Sequence, residues 1–394
     1  MSKKVGLAIA TYGSNYGTYL QAFATQYIIR ELGYETEVIN IASVRKEVAK
    51  ARRTYFAKQI FNFSELNSYK HRLFGIVAER LEPRYKGIIQ ARRQMCDQFR
   101  DQCFSFSEVV GSWTGLANLC QKRYSHVVVG SDQLWRPANI AGGFYTLDFV
   151  PDTVPKIAYA TSFGLPSIRQ SQREIAKHFL SRLDHISVRE TSGARIVSSL
   201  TGRQASVVCD PTMLLSKSEW NQYVSNTPIQ SGKYILCYFL GSNQKHRIFA
   251  KKLAEQTGCK IVSLLHIAGY IPEDNRFGDI HPSQIGPFEF LNLIKHAAYV
   301  CTDSFHGCVF ASIFEKELFA FNRFAANNSM STNDRITTLL STLGTESCLI
   351  SGQENISECI SRQIDYSKAC SQLEHAKHNS LAYLQAALSG KSTQ

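Results

Sequence analysis

The sequence has 11 cysteines but lacks any C-x-x-C pair. That spacing fits neither a zinc ribbon nor a dithiol redox motif. The number is odd, and several cysteines sit inside apolar stretches, as Cys237 does in 234–240. They read as small buried hydrophobes of a reducing compartment. There is no run of about 18 apolar residues, so no membrane-spanning helix is expected. The apolar run at 5–10 is too short for a signal-peptide core, and no small-residue cleavage site follows it. These absences predict a cytoplasmic protein. Also missing are internal repeats, low-complexity tracts, a metal-ligand cluster, a G-x-G-x-x-G turn and a P-loop lysine. Neither a metal nor a bound cofactor is therefore expected.

What is present is a chain able to build a large core. Hydrophobic residues make up 44% of 394 and charged residues 19%, which excludes disorder as the main state. The length suits two domains. The 23 Phe and 18 Tyr supply large buried areas and rings for clefts. Lys plus Arg is 44 against 32 Asp plus Glu, a formal charge of +12. Residues 41–125 carry 16 of the basic residues and 7 of the acidic ones, so most of the surplus lies there. Such an excess favours an anionic partner. No nucleic-acid motif accompanies it, so nucleic acid is not expected.

Apolar runs alternate with helical periodicity, the pattern of parallel α/β sheets. The run 5–10 leads into Tyr12-Gly13-Ser14-Asn15-Tyr16-Gly17, and a helix is predicted over about 19–32. Residues 42–104 read as a basic helical insertion. Strands are predicted at 126–129, 156–160, 185–188 and 205–208, and a second α/β half begins near 234. The helical tract 356–387 is placed to cross back over the first half. Domains of 1–215 and 216–394 result. Parallel sheets bind ligands beyond the C-terminal ends of their strands, where this sequence concentrates its unusual polar residues.

Asp303-Ser304-Phe305-His306-Gly307 joins a predicted strand to a helix. His306 would sit at a helix N-terminus, which favours anions, and can move a proton near neutral pH. The plain alternative is a capping Asp or Ser with a packed His. Arg189 follows another strand and suits a carboxylate or phosphate; an Arg189–Glu190 surface pair would look the same. Ser131-Asp132-Gln133-Leu134-Trp135 offers a carboxylate, an amide and an indole, a set suited to a sugar; the alternative is a cap and a core tryptophan. The turn at Asn15 and Gly17 is either a phosphate cradle or close strand–helix packing.

These motifs, with Tyr159-Ala160-Thr161-Ser162-Phe163-Gly164 and Asp210-Pro211-Thr212, occur in an order that resembles the polysaccharide pyruvyl transferase family over roughly residues 5–345. The resemblance implies a fold like the GT-B glycosyltransferases: two Rossmann-like lobes facing a cleft, with the basic insertion in the N-terminal lobe. It implies transfer of a pyruvyl group from phosphoenolpyruvate to a sugar, forming a cyclic ketal in capsule or exopolysaccharide synthesis. It gives His306 and Arg189 catalytic roles. Donor binding falls to Arg189, Ser304, Phe305, Gly307, Arg335, Asn15 and Gly17. Acceptor binding falls to Asp132, Gln133, Trp135, Ser162 and Phe163. Ser304 stands where some relatives have arginine; Arg323 and Arg335 are candidate substitutes. Two other readings remain, a GT-B-like glycosyltransferase with a nucleotide-sugar donor and a non-catalytic glycan- or anion-binding module. The basic segment is expected to stand apart from the cleft and to meet an anionic membrane face or a lipid-linked oligosaccharide acceptor.

Overall fold

A computed structural model describes residues 4–58, 82–265, 270–324 and 333–390. It contains two sheets whose named strands all pair in parallel. The first comprises β1 Lys4–Ala8, β2 Glu35–Val38, β3 His126–Gly130, β4 Lys156–Thr161, β5 His185–Val188 and β6 Ser206–Val207, in the order β2-β1-β3-β4-β5-β6. The second comprises β7 Tyr234–Tyr238, β8 Lys260–Ser263, β9 Tyr299–Thr302, β10 Glu317–Phe321 and β11 Leu349–Ile350, in the order β11-β10-β9-β7-β8. Read from its other edge, this repeats the first order. Each sheet therefore has a topological switch point, between β1 and β3 and between β7 and β9. The α/β architecture of two doubly wound lobes expected from the sequence is the one present.

The first helix runs over Tyr16–Glu31, starting three residues before its predicted position. Asn15 sets that start, because its side-chain oxygen accepts from Gly17 N at 3.0 Å. Thirteen of its sixteen residues are buried. A helix apolar on most sides needs cover on most sides, and here the second lobe supplies part of it. Tyr16 stacks on Phe290 of the helix Pro287–His296, with ring centroids 4.8 Å apart. One hydrophobic core thus runs through both sheets, from Leu7 and Val128 to Leu236 and Val300.

Two other elements tie the lobes. Of the predicted insertion, helices Arg45–Lys58 and Pro83–Cys103 are described, while 59–81 lies outside the described residues. The second helix is not confined to the first lobe. Its buried Arg92 covers the Tyr16 ring at 4.7 Å and donates to Leu265 O at 3.0 Å. The helix Tyr366–Leu388 lies against the first sheet, where Ser380 Oγ accepts from Cys209 N at 2.9 Å and Tyr383 donates to Ala158 O at 3.4 Å. Nine of the cysteines are buried. Among the described residues no helix is long and apolar enough to cross a membrane.

The continuous core makes a prediction. Tyr16→Ala should cost about 3–5 kcal/mol, the usual result of removing a buried ring. Urea unfolding should remain a single transition for both lobes. Two resolved transitions in the wild-type protein would refute the shared core.

Candidate active site at the interlobe cleft

Both switch points open into the same cavity, of about 500 Å³. Tyr12 and Asn15 follow β1, Asp132 and Gln133 follow β3, Leu240 follows β7, and Ser304, Phe305 and His306 follow β9; all line it. The strand order thus explains why residues from both halves of the chain share one wall.

Behind that wall lies Asp210, which has no solvent exposure. Its Oδ2 accepts from Ser131 Oγ and Arg189 Nη1, each at 2.6 Å. Its Oδ1 accepts from Thr212 N at 3.0 Å and Thr212 Oγ1 at 2.6 Å. His306 Nε2, from the other lobe, lies 3.6 Å from Oδ2, an ion-pair distance rather than a hydrogen bond. Burial pushes this carboxyl up, but His306, Arg189 and Ser131 outweigh it and hold it well below the ordinary range. Asp210 is therefore an anion at neutral pH.

Asp132 is held differently. Its φ of 65° is left-handed, a conformation that costs a non-glycine residue roughly 1–2 kcal/mol. Its carbonyl accepts from Leu134 N and Ser162 N, each at 2.9 Å, and Thr18 Oγ1 donates to its Oδ2 at 2.7 Å. Burial raises its pKa, yet Arg189, His306 and the Thr18 hydroxyl bring it below the ordinary value. A second ionised carboxylate thus faces the cavity.

The cations gather around Phe305. The Arg189 guanidinium lies 4.3 Å from the ring centroid and that of Arg335 5.9 Å. With the Gln133 amide turned so that its oxygen faces Arg335, that oxygen accepts from both Nη atoms at 3.0 and 2.8 Å. Burial, Arg189 and Arg323 lower the Arg335 pKa to about 9. Burial raises the pKa of Glu190, against the pull of Arg189 and Arg335. Arg323 Nη2 donates to Asp303 O at 3.0 Å. Asp303 also fixes the β7 turn, accepting from Leu240 N at 2.6 Å and Gly241 N at 2.9 Å.

The structure sorts the residues singled out in the sequence. Asn15, Asp132, Gln133, Ser304, Phe305, His306 and Arg335 line the cavity together. Arg189 does not. It lines a separate cavity of about 200 Å³ bounded by the last helix, and it reaches the site through Asp210 and Phe305. Two aromatic residues expected at the acceptor are core residues. Trp135 is fully buried against Phe163 and Phe179 and donates to Tyr145 O at 3.1 Å. Phe163 is 1% exposed. Ser162 is buried too, accepting from Gly164 N at 3.0 Å. Gly17 and Gly307 are not among the residues that line the cavity. Gly17 admits the His306 ring, whose Nδ1 would lie 2.1 Å from a Cβ placed there, and Gly307 packs on Thr302. Ser304 caps its helix, accepting from Gly307 N at 3.3 Å.

Asp210 has no place in the site expected from the sequence, and the basic segment is expected to stand apart from the cleft. The structure corrects the second point, because Arg45 and Arg52 line the cavity with Arg136 and Arg323. The missed signal was the helical spacing of 45, 48, 49 and 52.

Asp210→Asn should destabilise the fold at pH 7 by about 3–5 kcal/mol, since it leaves Arg189 buried without its carboxylate. The folded pKa of Asp210 lies below its ordinary 3.8. Its contribution is therefore complete above that value and declines as pH falls below it. Urea melts of both proteins should diverge most at neutral pH and converge in acid; a constant difference would contradict this. Gly17→Ala should displace the His306 ring, lowering activity far more than melting temperature.

A comparison with curated proteins finds no match. Solved structures similar over most of the chain include UDP-N-acetylglucosamine 2-epimerase from Rickettsia bellii, at 11% identity and a TM-score of 0.48, covering 98% of this chain and 97% of that one. MurG from Acinetobacter baumannii is similar at 8% identity and a TM-score of 0.44, covering 99% and 100%. Residues 15–323 match the family model described as polysaccharide pyruvyl transferase. That match takes in most of the chain, including Asp132, Arg189, Asp210 and His306, and so the chain belongs to the polysaccharide pyruvyl transferase family.

Proposed function

We propose that the chain transfers the pyruvyl group of phosphoenolpyruvate onto two hydroxyls of one sugar, in a surface polysaccharide or its lipid-linked precursor. The observation that carries this reading is the meeting of His306, Arg323 and Arg335 on one cavity wall. A donor with a carboxylate and a phosphate needs closely spaced cations, and an enol needs a proton donor.

The bond changes balance as follows. C3 of the donor gains a proton, which makes C2 electrophilic. Two acceptor oxygens bond to C2 in turn, and the C2–O bond to phosphate breaks. Of the two hydroxyl protons released, one matches the proton gained by C3 and the other leaves with phosphate. In this scheme Arg323 and Arg335 hold the donor anion. His306 delivers the proton and recovers one from a hydroxyl. Asp132, kept ionised, accepts a hydrogen bond from the sugar, and Gln133 orients Arg335. Arg189 is a positioning residue, fixing Asp210 behind His306 and backing the Phe305 ring.

Phosphoenolpyruvate should raise the melting temperature of the protein, and UDP-, GDP- and CMP-sugars should not. The reverse pattern would favour a nucleotide-sugar donor and defeat the proposal. His306→Ala should lower transfer by about 10²–10⁴-fold with folding intact, read by mass spectrometry of a glycoside panel. Near-wild-type turnover would remove His306 from the chemistry; no pyruvate-ketal mass on any acceptor would favour a non-catalytic binder.

A further inference from the structure

The larger cavity has a second cationic wall that the donor does not need. It is one face of the helix Arg45–Lys58, where Arg45, Val48, Ala49 and Arg52 line the cavity. These are the i, i+3, i+4 and i+7 positions, so they form a single stripe. Seven residues at 1.5 Å each set the two guanidinium-bearing positions roughly 10 Å apart along it. Both arginines are exposed, and among the described residues neither makes a hydrogen bond or an ion pair with a carboxylate. The helix is seated firmly. A Cβ on Gly142, the last residue of the short helix Pro137–Gly142, would lie 3.2 Å from Val48 Cγ1 and 3.5 Å from Arg52 Cγ, so the two helices pack with little room between them. Tyr12 and Tyr145 share this side of the cavity, and Tyr12 is 40% exposed. Among the described residues, the cavity lining includes five arginines, and Asp132 is its one carboxylate.

Rings beside guanidiniums suit a sugar that carries an oxyanion. The rings cover C–H faces, and the guanidiniums bind phosphate oxygens in pairs. We propose that this wall is the acceptor subsite and that it selects a glycoside bearing a phosphate or diphosphate ester, held by Arg45 and Arg52. Calling the ligand an acceptor rests on the pyruvyl-transfer reading; the anion subsite itself does not.

Calorimetric titration of the full chain with inorganic diphosphate, alone and with saturating phosphoenolpyruvate, tests this. Binding should persist with phosphoenolpyruvate present. The double variant R45Q/R52Q should weaken it at least about tenfold, or ~1.4 kcal/mol. R45K/R52K should keep part of the affinity, because lysine retains charge without the paired geometry. The rise in melting temperature with phosphoenolpyruvate should not change in either variant. Wild-type affinity in R45Q/R52Q, or displacement of diphosphate by phosphoenolpyruvate, overturns the proposal. If phosphoenolpyruvate fails to bind while diphosphate still depends on Arg45 and Arg52, the donor assignment falls and the subsite stands. A short prenyl diphosphate binding more tightly than a nucleoside diphosphate would identify a lipid carrier as the source. The reverse would identify a soluble nucleotide sugar. Either result supports the subsite.

Discussion

A carboxylate sealed from water, Asp210, sets the geometry on which the cleft depends. Taking it out of water costs several kcal/mol, which good geometry and a full set of donors can offset. Its donors come from different places. Ser131 follows β3, Arg189 follows β5, Thr212 lies in its own turn, and His306 approaches at ion-pair distance from the opposite lobe. The surroundings of this one carboxylate thus draw on four segments of the chain. The same contacts that make Asp210 tolerable therefore also aim the His306 ring.

That coupling works because the lobes are not separately packed bodies. The first helix buries Tyr16 against Phe290, and Arg92 closes over the same ring while bonding to Leu265 O. Tyr16 directly precedes Gly17, which packs on the His306 ring, so these contacts bear on the distance between Gly17 and His306. At that contact even a methyl group does not fit. Catalysis by positioning is sensitive to displacements of about 1 Å, so interlobe packing belongs to the site as much as the side chains on its wall do.

What could be read from the sequence was what local chemistry determines. The alternation of strand and helix, and the polar residues at strand ends, follow from periodicity and turn preferences. Both survive in the fold. The failures share a cause. Trp135 and Phe163 have the composition of a sugar platform, but they are buried against one another, and Trp135 also against Phe179, contacts between segments far apart along the chain. Asp-Pro-Thr reads as a turn, and Asp210 does cap one; its bonds to Arg189 and Ser131 need the sheet to be assembled. The spacing of Arg45 and Arg52 reveals a shared helix face, but not that the face meets the cleft.

The charges also divide the labour among the arginines. Arg189 is buried and bonded to Asp210, with Asp132 and Glu190 close enough to favour its charge further. Most of its field is therefore cancelled within the protein. Arg335 has the opposite setting. Arg189 and Arg323 crowd it, and its pKa falls to about 9 even with Glu190 and Asp132 nearby. It stays protonated at neutral pH, but in a site with too much positive charge. An arriving anion relieves that repulsion at Arg335 and Arg323 and gains little from Arg189. The balance of charge thus separates the residue that fixes the geometry from the residues that, in the proposed reaction, would attract the donor, although all three carry the same side chain.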